Sequence, residues 1–237
     1  MIFLRTVIAW IAGSLATSLI CFIIFIVSLV DRDSSRINRL IVLWSRILIS
    51  LTGVRVTVTG AENVPKTGPV LFVANHRGAF DIPALQHAIP REFKWIAKKS
   101  LFSIPALGWS MTLAGFIPID RQNAQAAYSS MEAAVERIKN GACVLIFPEG
   151  TRNSTDDLLL PFKRGSFLLA VKSGVPVVPV AVEGTRDILR KGGFMINPAP
   201  VRIVIGMPID SAGANEKMLR EKARAAIEGL FAMEIKR

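Results

Sequence analysis

Residues 69–83, "PVLFVANHRGAFDIP", place a short apolar run directly before a turn and a proline. Such a continuously apolar run is typical of a buried strand. Gly78 gives the turn backbone freedom, Pro83 fits the first turn of a helix, and Asp81 lies near the N-cap position. The stretch therefore predicts a strand, a tight turn and a helix, with His76 at the carboxyl end of the strand, where α/β proteins gather functional groups.

His76 and Asp81 admit two interpretations on these residues alone. A histidine beside a carboxylate can serve as an acid–base pair, because its pKa lies near neutrality and the carboxylate can fix its tautomer. In the alternative interpretation, Asp81 only caps the helix and His76 is a solvated loop residue. The rest of the chain has to decide between them.

Short apolar or alternating segments interleave with helical patterns from about residue 54 onward. "VRVTVTG" alternates with period two, as a strand does, whereas "NAQAAYSSMEAAVERIKNG" is amphipathic and ends at a glycine, as a helix does. Further strands are predicted at "KWIA", "GFIPI", "CVLIF", "VPVVPVAV" and "VRIVIG", and further helices at "PALQHAI", "KRGSFLLAVKSG" and near the C-terminus. This alternation predicts an α/β fold with a mostly parallel sheet flanked by helices.

Two further polar groups follow predicted strands. The segment "LIFPEGTRN" places four turn residues together: Glu149, Gly150, Thr151 and Arg152. Glycine permits close backbone approach, threonine supplies a hydroxyl, and arginine offers a planar fork of donors suited to phosphate. The segment "GFIPIDR" ends in Arg121. Taken alone, each group also fits an ordinary surface turn or a solvated charge at a strand end.

The N-terminus differs in composition from the rest of the chain. Residues 6–30 carry no charge over 25 residues. A helix of that length reaches about 37 Å, enough for a hydrocarbon core of about 30 Å. A signal peptide is disfavoured, because its apolar region is normally shorter and the following "DRDSSR" is a poor cleavage site. The segment therefore predicts a membrane anchor.

A second apolar stretch, "INRLIVLWSRILISLTG" from residue 37, is shorter and carries two arginines. It favours a helix at the membrane interface, or a hairpin with the first segment that dips into one leaflet, and the residues leave both open. Four arginines follow the anchor (Arg32, Arg36, Arg39 and Arg46), whereas only Arg5 precedes it. The positive-inside rule then places the main domain in the cytoplasm. We expect the anchor and interfacial helix over 1–53 and a catalytic domain over 54–237.

Composition narrows the classes of partner. The 237 residues are 51% hydrophobic, enough for one sizeable domain, and carry 29 Lys and Arg against 18 Asp and Glu, a net charge of +11. Such an excess suits phosphates or acidic lipid surfaces; nucleic acid is disfavoured, because no known binding pattern is present. Cys21 and Cys143 lie in apolar runs and are expected to be buried, and no metal site is predicted.

Four segments in order resemble one known family. "NHRGAFD", "GFIPIDR", "FPEGTRN" and "VPVVPV" follow the order and rough spacing of the four motif blocks of the glycerolipid acyltransferases. Over roughly 54–182 the chain most resembles the bacterial 1-acyl-sn-glycerol-3-phosphate (lysophosphatidic acid) acyltransferases. It departs from them at Gly78, where members often have serine, and at Ser100, where many have glutamate. Neither departure touches the histidine or the aspartate.

The resemblance implies an acyl transfer without a cofactor. The acyl group would pass from an acyl-CoA or acyl carrier protein thioester to the 2-hydroxyl of lysophosphatidate, in the membrane of a bacterial cell and on its cytoplasmic side. His76 would be the base and Asp81 its orienting partner. The remaining implied substrate-binding residues are Glu149, Gly150, Thr151 and Arg152, with Arg121 helping, and Lys98 or Lys99 adding charge.

Several alternatives accompany this hypothesis. The same motifs tolerate another acceptor, such as glycerol-3-phosphate or a lyso-aminolipid. A thioesterase would use water in place of the lipid hydroxyl, and a membrane-anchored scaffold would use none of these residues. "VPVVPV" is interpreted mainly as a core strand, and three polar residues without motif support are assigned structural roles: His87, Asp156 and Asp157.

Overall fold

The structure is a computed structural model that describes residues 2–30, 34–120, 124–190 and 192–233. Within them the core is a seven-stranded sheet in the order β1-β7-β6-β2-β5-β3-β4. Neighbouring strands are parallel except β6 and β7, which are antiparallel. The strands are β1 (Arg55–Thr59), β2 (Leu71–Ala74), β3 (Lys94–Lys98), β4 (Ile117–Ile119), β5 (Val144–Ile146), β6 (Val177–Glu183) and β7 (Pro200–Ile205). The predicted mostly parallel α/β sheet is confirmed.

Eight α-helices accompany the sheet in the described ranges. They are α1 (Ile2–Val30), α2 (Ser34–Thr52), α3 (Asp81–Ala88), α4 (Leu107–Leu113), α5 (Ala124–Lys139), α6 (Arg164–Ser173), α7 (Thr185–Ile188) and α8 (Glu216–Ala232). The short helices α4 and α7 have no counterpart in the sequence-based prediction. At seven and four residues, the two helices are too short for a periodic pattern to emerge.

The central strands are buried because helices cover both faces of the sheet. All of β2 and β5, and all of β6 except its last residue, are buried, as their unbroken apolar sequences predict. On one face, Phe72 packs in a cluster with Leu85 of α3 and Phe93. On the other face, the cluster contains Ile138 of α5 and Leu169 of α6. Only the edge strand β1 alternates in sequence, and it is largely exposed.

The first two helices form a hairpin against the α/β unit. The Trp44 indole donates to Thr17 Oγ1 at 2.9 Å, and Arg5 donates to the carbonyl of Thr52 at 3.3 Å, so the hairpin is tied near its middle and one end. Helix α1 is the one described helix long and apolar enough to cross a membrane. Along most of its length large apolar side chains face outward, among them Leu15 and Phe22.

Candidate active site

Parallel pairing brings the two main sequence motifs to one edge of the sheet. Strands β2 and β5 pair in parallel, with Val73 opposite Ile146. The chain therefore leaves both strands at the same edge, and the His76 turn lies directly beside the turn that contains Glu149. Strands β3 and β6 flank this pair, so the residues that follow them emerge at the same edge.

Asp81 holds both the imidazole of His76 and the turn around it. Its Oδ2 lies 2.5 Å from His76 Nδ1 and also accepts the backbone N–H groups of Arg77 at 2.7 Å and Gly78 at 3.0 Å. The carboxylate is fully buried. Asp81 is the first residue of α3 rather than its cap, which is Phe80, and the positive end of the helix favours its charge. The pair thus exists, and the capping alternative is wrong.

Phe147 fixes the plane of the His76 ring. The two rings stack with centroids 4.0 Å apart and 7° between their planes. Phe147 in turn packs against Trp95, with ring centroids 5.7 Å apart, and the Trp95 indole N–H donates to Gln86 Oε1 at 2.9 Å. Since Nδ1 faces Asp81, the ring presents Nε2, which makes no hydrogen bond within the described part of the chain. Phe147 was missed by the sequence-based reasoning, although its place at the end of β5 was a usable signal.

Glu149 ties the two turns together through backbone groups. Its Oε1 accepts the His76 N–H at 2.7 Å, and its Oε2 accepts the Leu160 N–H at 3.0 Å. In return, the His76 carbonyl accepts the N–H of Asn153 at 2.7 Å. Burial raises the pKa of the Glu149 carboxyl, while the two backbone hydrogen bonds act in the opposite direction. Both of its oxygens are occupied by the protein itself.

Asn75 performs a similar task on the other side of His76. Its side-chain amide donates to the Val182 carbonyl at 2.8 Å, and its Oδ1 accepts the Val182 N–H at 2.7 Å. This side chain therefore extends the pairing of β2 with β6 by one residue, and it is completely buried. The residue just before the histidine is thereby fixed to the sheet. Sequence reasoning did not single out Asn75.

A polar cleft of ≈ 610 Å³ opens beside the His76 turn. Its charged lining consists of four arginines (Arg77, Arg152, Arg186 and Arg190) and three carboxylates (Asp156, Glu183 and Asp187). Arg186 uses its guanidinium on the adjacent loop, donating to the carbonyls of Thr155 at 2.7 Å and Ser154 at 3.2 Å. Arg152 and Arg190 are exposed and make no side-chain hydrogen bond within the described ranges. The cleft therefore presents free guanidinium groups next to the candidate base.

Close backbone contacts hold α7, and with it Arg186, against the His76 turn. A Cβ on Gly78 would lie 2.5 Å from the carbonyl oxygen of Thr185, and one on Gly184 would lie 2.0 Å from that of Pro200. Neither position has room for a side chain. The departure at Gly78 thus has a physical reason in this chain, since the Thr185 backbone fills the space that a serine side chain would need.

An apolar pocket of ≈ 310 Å³ lies between α5 and α6. Its wall includes Phe147, Met131 and Leu169. Phe147, which stacks on His76, lines this pocket, whereas Arg77, the residue after His76, lines the polar cleft. This arrangement was not visible in the sequence, because the lining residues come from elements far apart in the chain.

The other predicted site residues take different places. Gly150 has a φ of +69°, a backbone conformation that favours glycine at this turn. Thr151 is exposed. Lys98 and Lys99 lie exposed at the end of β3, with Lys99 Nζ 3.6 Å from a carboxylate oxygen of Asp120, and neither lysine lines the polar cleft. Arg121 lies outside the described residues.

Fold and site together define an α/β protein with a histidine–carboxylate pair at the edge of a mostly parallel sheet, near an arginine-lined cleft and an apolar pocket. A family model described as Acyltransferase matches residues 55–183, more than half of the chain. The protein belongs to this acyltransferase family, which confirms the family predicted from the sequence.

Named relatives and one solved structure point to the same family. The chain is 36% identical over 204 residues to the chloroplastic 1-acyl-sn-glycerol-3-phosphate acyltransferase BAT2 of Brassica napus, covering 85% of this chain and 58% of that protein. It is 34% identical over 181 residues to the human alpha form, covering 75% and 62%. The crystal structure of the lysophosphatidate acyltransferase PlsC from Thermotoga maritima superposes with a TM-score of 0.85 at 27% identity, covering 100% of this chain and 98% of that one. The chain spans about three-fifths of the length of the curated relatives it matches.

Proposed function

We propose that this protein transfers a fatty acyl group from an acyl thioester to the 2-hydroxyl of lysophosphatidate and so forms phosphatidate. The observation that carries the proposal is the His76–Asp81 pair, held rigidly beside a cleft with free arginines. The names of the relatives, which are 1-acyl-sn-glycerol-3-phosphate acyltransferases, support the same reaction. The acyl donor in this proposal is a thioester of CoA or of acyl carrier protein, and the proposed reaction needs no cofactor.

In the proposed mechanism His76 acts as a general base. The Nδ1 proton is held by Asp81, so Nε2 carries the lone pair that accepts the proton of the acceptor hydroxyl. The acceptor oxygen attacks the thioester carbonyl carbon. The carbon–sulfur bond then breaks, and the leaving sulfur takes the proton from His76 and departs as a thiol. Asp81 stabilises the transient imidazolium. Base catalysis of this kind accelerates reactions about 10²–10⁴-fold.

The two cavities suit the two ends of the reacting molecules. The fork of Arg152 matches a phosphate, and Arg190 supplies a second guanidinium in the same cleft. The apolar pocket beyond Phe147 suits a fatty acyl chain. We propose a positioning role for Glu149, because both of its oxygens hold backbone N–H groups of the site. Thr151, Gly150 and Arg121 remain proposed acceptor-site residues through the family resemblance.

We further propose that residues 1–53 attach the enzyme to a membrane and that 54–237 form the catalytic domain. Helix α1 contacts that domain at two points along its length: Trp10 donates to the Phe194 carbonyl at 2.9 Å, and Ser110 donates to the Cys21 carbonyl at 3.4 Å. Such lengthwise contact favours a hairpin within one leaflet over a helix that leaves the domain and spans the bilayer. The proposed cellular location is a bacterial inner membrane, with the catalytic domain on the cytoplasmic side.

The full-length protein in lipid nanodiscs, given labelled acyl-CoA and lysophosphatidate, tests the reaction. We expect labelled phosphatidate from the wild type, and a rate of formation lower by about 10²–10⁴-fold from a His76→Ala variant. Acylation of glycerol-3-phosphate or a lyso-aminolipid in preference to lysophosphatidate would contradict the proposed acceptor. Release of free fatty acid without acceptor would identify a thioesterase instead, and the absence of any product would favour a scaffold.

A further inference from the structure

Between β3 and β4 the chain forms an exposed apolar surface, residues 99–113, which we call the 99–113 segment. It consists of the single 3-10 turn Lys99–Leu101, a loop and α4. Three large apolar side chains on it are exposed: Leu101 by 39%, Ile104 by 44% and Trp109 by 64%. Contiguous exposed apolar surface marks a site of interaction, and three such side chains within nine residues make this segment a candidate for one.

This exposure does not come from a loosely held loop. Ala106 adopts a φ of +62°, which a residue other than glycine keeps only where its surroundings impose it. Gly108 packs so closely on the Phe102 backbone that a Cβ would lie 2.0 Å from the Phe102 carbonyl oxygen. Gly108 also donates to the Ile104 carbonyl at 2.7 Å. The segment therefore presents its apolar side chains on a fixed backbone.

The segment is continuous with the proposed membrane helix. Ser110 donates to the Cys21 carbonyl of α1 at 3.4 Å. Directly after α4, Ala114 joins a buried cluster with Ile20 and Ile24 of α1 and Ile37 of α2. Helix α1 therefore packs directly against α4 and the residue that follows it.

The segment also lies at the catalytic edge of the sheet. Strand β3 runs parallel to β5, which runs parallel to β2, so the 99–113 segment and His76 leave the sheet in the same direction. Lys98 and Lys99 stand exposed where the segment begins. Cations at the margin of an apolar surface complement anionic lipid headgroups.

We infer that the 99–113 segment is a second lipid contact, which inserts Leu101, Ile104 and Trp109 into the same leaflet as α1. The inference rests on the proposed membrane attachment of α1. Tryptophan is suited to the interface, and the lysines at the start of the segment would meet the headgroups. Two contacts fix the orientation of the domain, so the His76 edge lies at headgroup depth. A lysophospholipid acceptor then reaches the base without leaving the membrane.

Spin-label depth measurements test this placement. In the full chain, the two buried native cysteines are replaced by alanine, and activity is checked. Single nitroxides are then attached through Ile104→Cys, Trp109→Cys, Leu15→Cys on α1 and Met218→Cys on α8. In vesicles of phosphatidylethanolamine and phosphatidylglycerol, collision with oxygen is compared with collision with a water-soluble nickel chelate. We expect the first three labels to favour oxygen and the α8 label to favour the chelate.

The α1 label separates the two ideas. If it reports lipid while the labels at 104 and 109 behave like the α8 label, the inference is overturned and the membrane attachment of α1 stands. If the α1 label also reports water, both the attachment and the inference fail.

Kinetics give a second readout. Replacing Ile104 and Trp109 together by serine should raise the KM for long-chain lysophosphatidate in vesicles roughly ten-fold, since the lost apolar burial weakens surface binding. The kcat, and the turnover of a water-soluble short-chain acceptor, should not change. Met218→Ser, which also removes an exposed apolar side chain, is the matched control. A loss of turnover on both acceptors would assign the segment a purely structural role and contradict the lipid contact.

Discussion

The turn that contains His76 and the cleft lined by Arg152 lie at the same edge of the sheet, but their side chains are held very differently. In the turn, one oxygen of Asp81 accepts three hydrogen bonds, and both oxygens of Glu149 are occupied. In the cleft, Arg152 and Arg190 are exposed, with no side-chain hydrogen bonds in the described ranges. Proton transfer needs a fixed ring, whereas long cationic arms can adapt to a lipid headgroup.

Removing the base should have the largest effect on the rigid turn. His76→Ala should lower kcat/KM by about 10²–10⁴-fold, because the acceptor hydroxyl loses its proton acceptor. Asp81→Asn should be severely impaired as well, since the imidazole loses its orienting anion. Steady-state kinetics check both variants, and thermal unfolding with membrane fractionation verifies that they fold. A well-folded His76→Ala variant with near-normal turnover would refute the mechanism.

Substitution in the cleft should change selectivity more than chemistry. Losing a charge-assisted hydrogen bond costs about 1.5–3 kcal/mol, or roughly ten- to over a hundred-fold in rate. Arg152→Ala should therefore lose most activity on lysophosphatidate and little on monoacylglycerol, and Arg190→Ala should act in the same direction. Arg152→Lys should rescue only in part, because the charge remains without the fork.

Comparison of kcat/KM for the two acceptors measures this selectivity. Arg220→Ala on α8 removes the same charge away from the site and serves as the control. If Arg152→Ala slows both acceptors equally, the residue shapes the site and does not recognise phosphate.

A substitution of Glu149 distinguishes a positioning role from direct binding of the acceptor. In Glu149→Gln the amide oxygen can accept one of the two backbone N–H groups, but the NH₂ group opposes the other, and an unsatisfied buried donor costs about 1–3 kcal/mol. We expect kcat to fall roughly ten-fold with little change in the KM for lysophosphatidate. A selective rise in that KM would instead support direct contact with the acceptor.

Gly78→Ser introduces the residue that relatives often carry into a turn without room for it. The new Cβ would lie 2.5 Å from the Thr185 carbonyl oxygen, so the turn or α7 must shift. Overpacking of this kind costs about 1–3 kcal/mol. The variant should unfold at a lower temperature and lose activity, whereas Gly229→Ser, at an open glycine that like Gly78 lacks a positive φ, controls for the loss of a glycine alone. An unchanged melting temperature for Gly78→Ser would show that the contact is not tight.

The smallest effect is a pH dependence from Glu149. Burial raises the pKa of its carboxyl above the ordinary value of 4.5, so the folded state favours the protonated form. Its favourable contribution to stability is present below pH 4.5 and is lost as the pH rises through the higher folded pKa. The unfolding free energy of the wild type relative to Glu149→Gln should therefore decline over that interval, as denaturant titrations at several pH values can measure. A difference that rises with pH would contradict the assigned direction.

Local sequence pattern was sufficient to predict those features that depend on residues close together in the chain. The apolar run before Asn75 predicted β2, the amphipathic pattern predicted α5, and both match the structure because periodicity reports which side of an element is buried. The pairing of His76 with Asp81 was also accessible, since five residues across one turn bring the two side chains together. The 99–113 segment gave no such signal, because its short helix is defined by packing on α1.

The sequence by itself determined the α/β class, the apolar N-terminal helix, the family and the histidine–aspartate pair, because each depends on neighbouring residues or on motifs in order. Only the tertiary structure decided that Glu149 supports the His76 backbone, 73 residues away in the chain, and that Arg186 and Arg190 share a cleft with Arg152. These contacts depend on which strands are neighbours in the sheet and on how closely Gly78 and Gly184 let backbones approach. Strand order and close packing are properties of the whole fold, so no single segment specifies them.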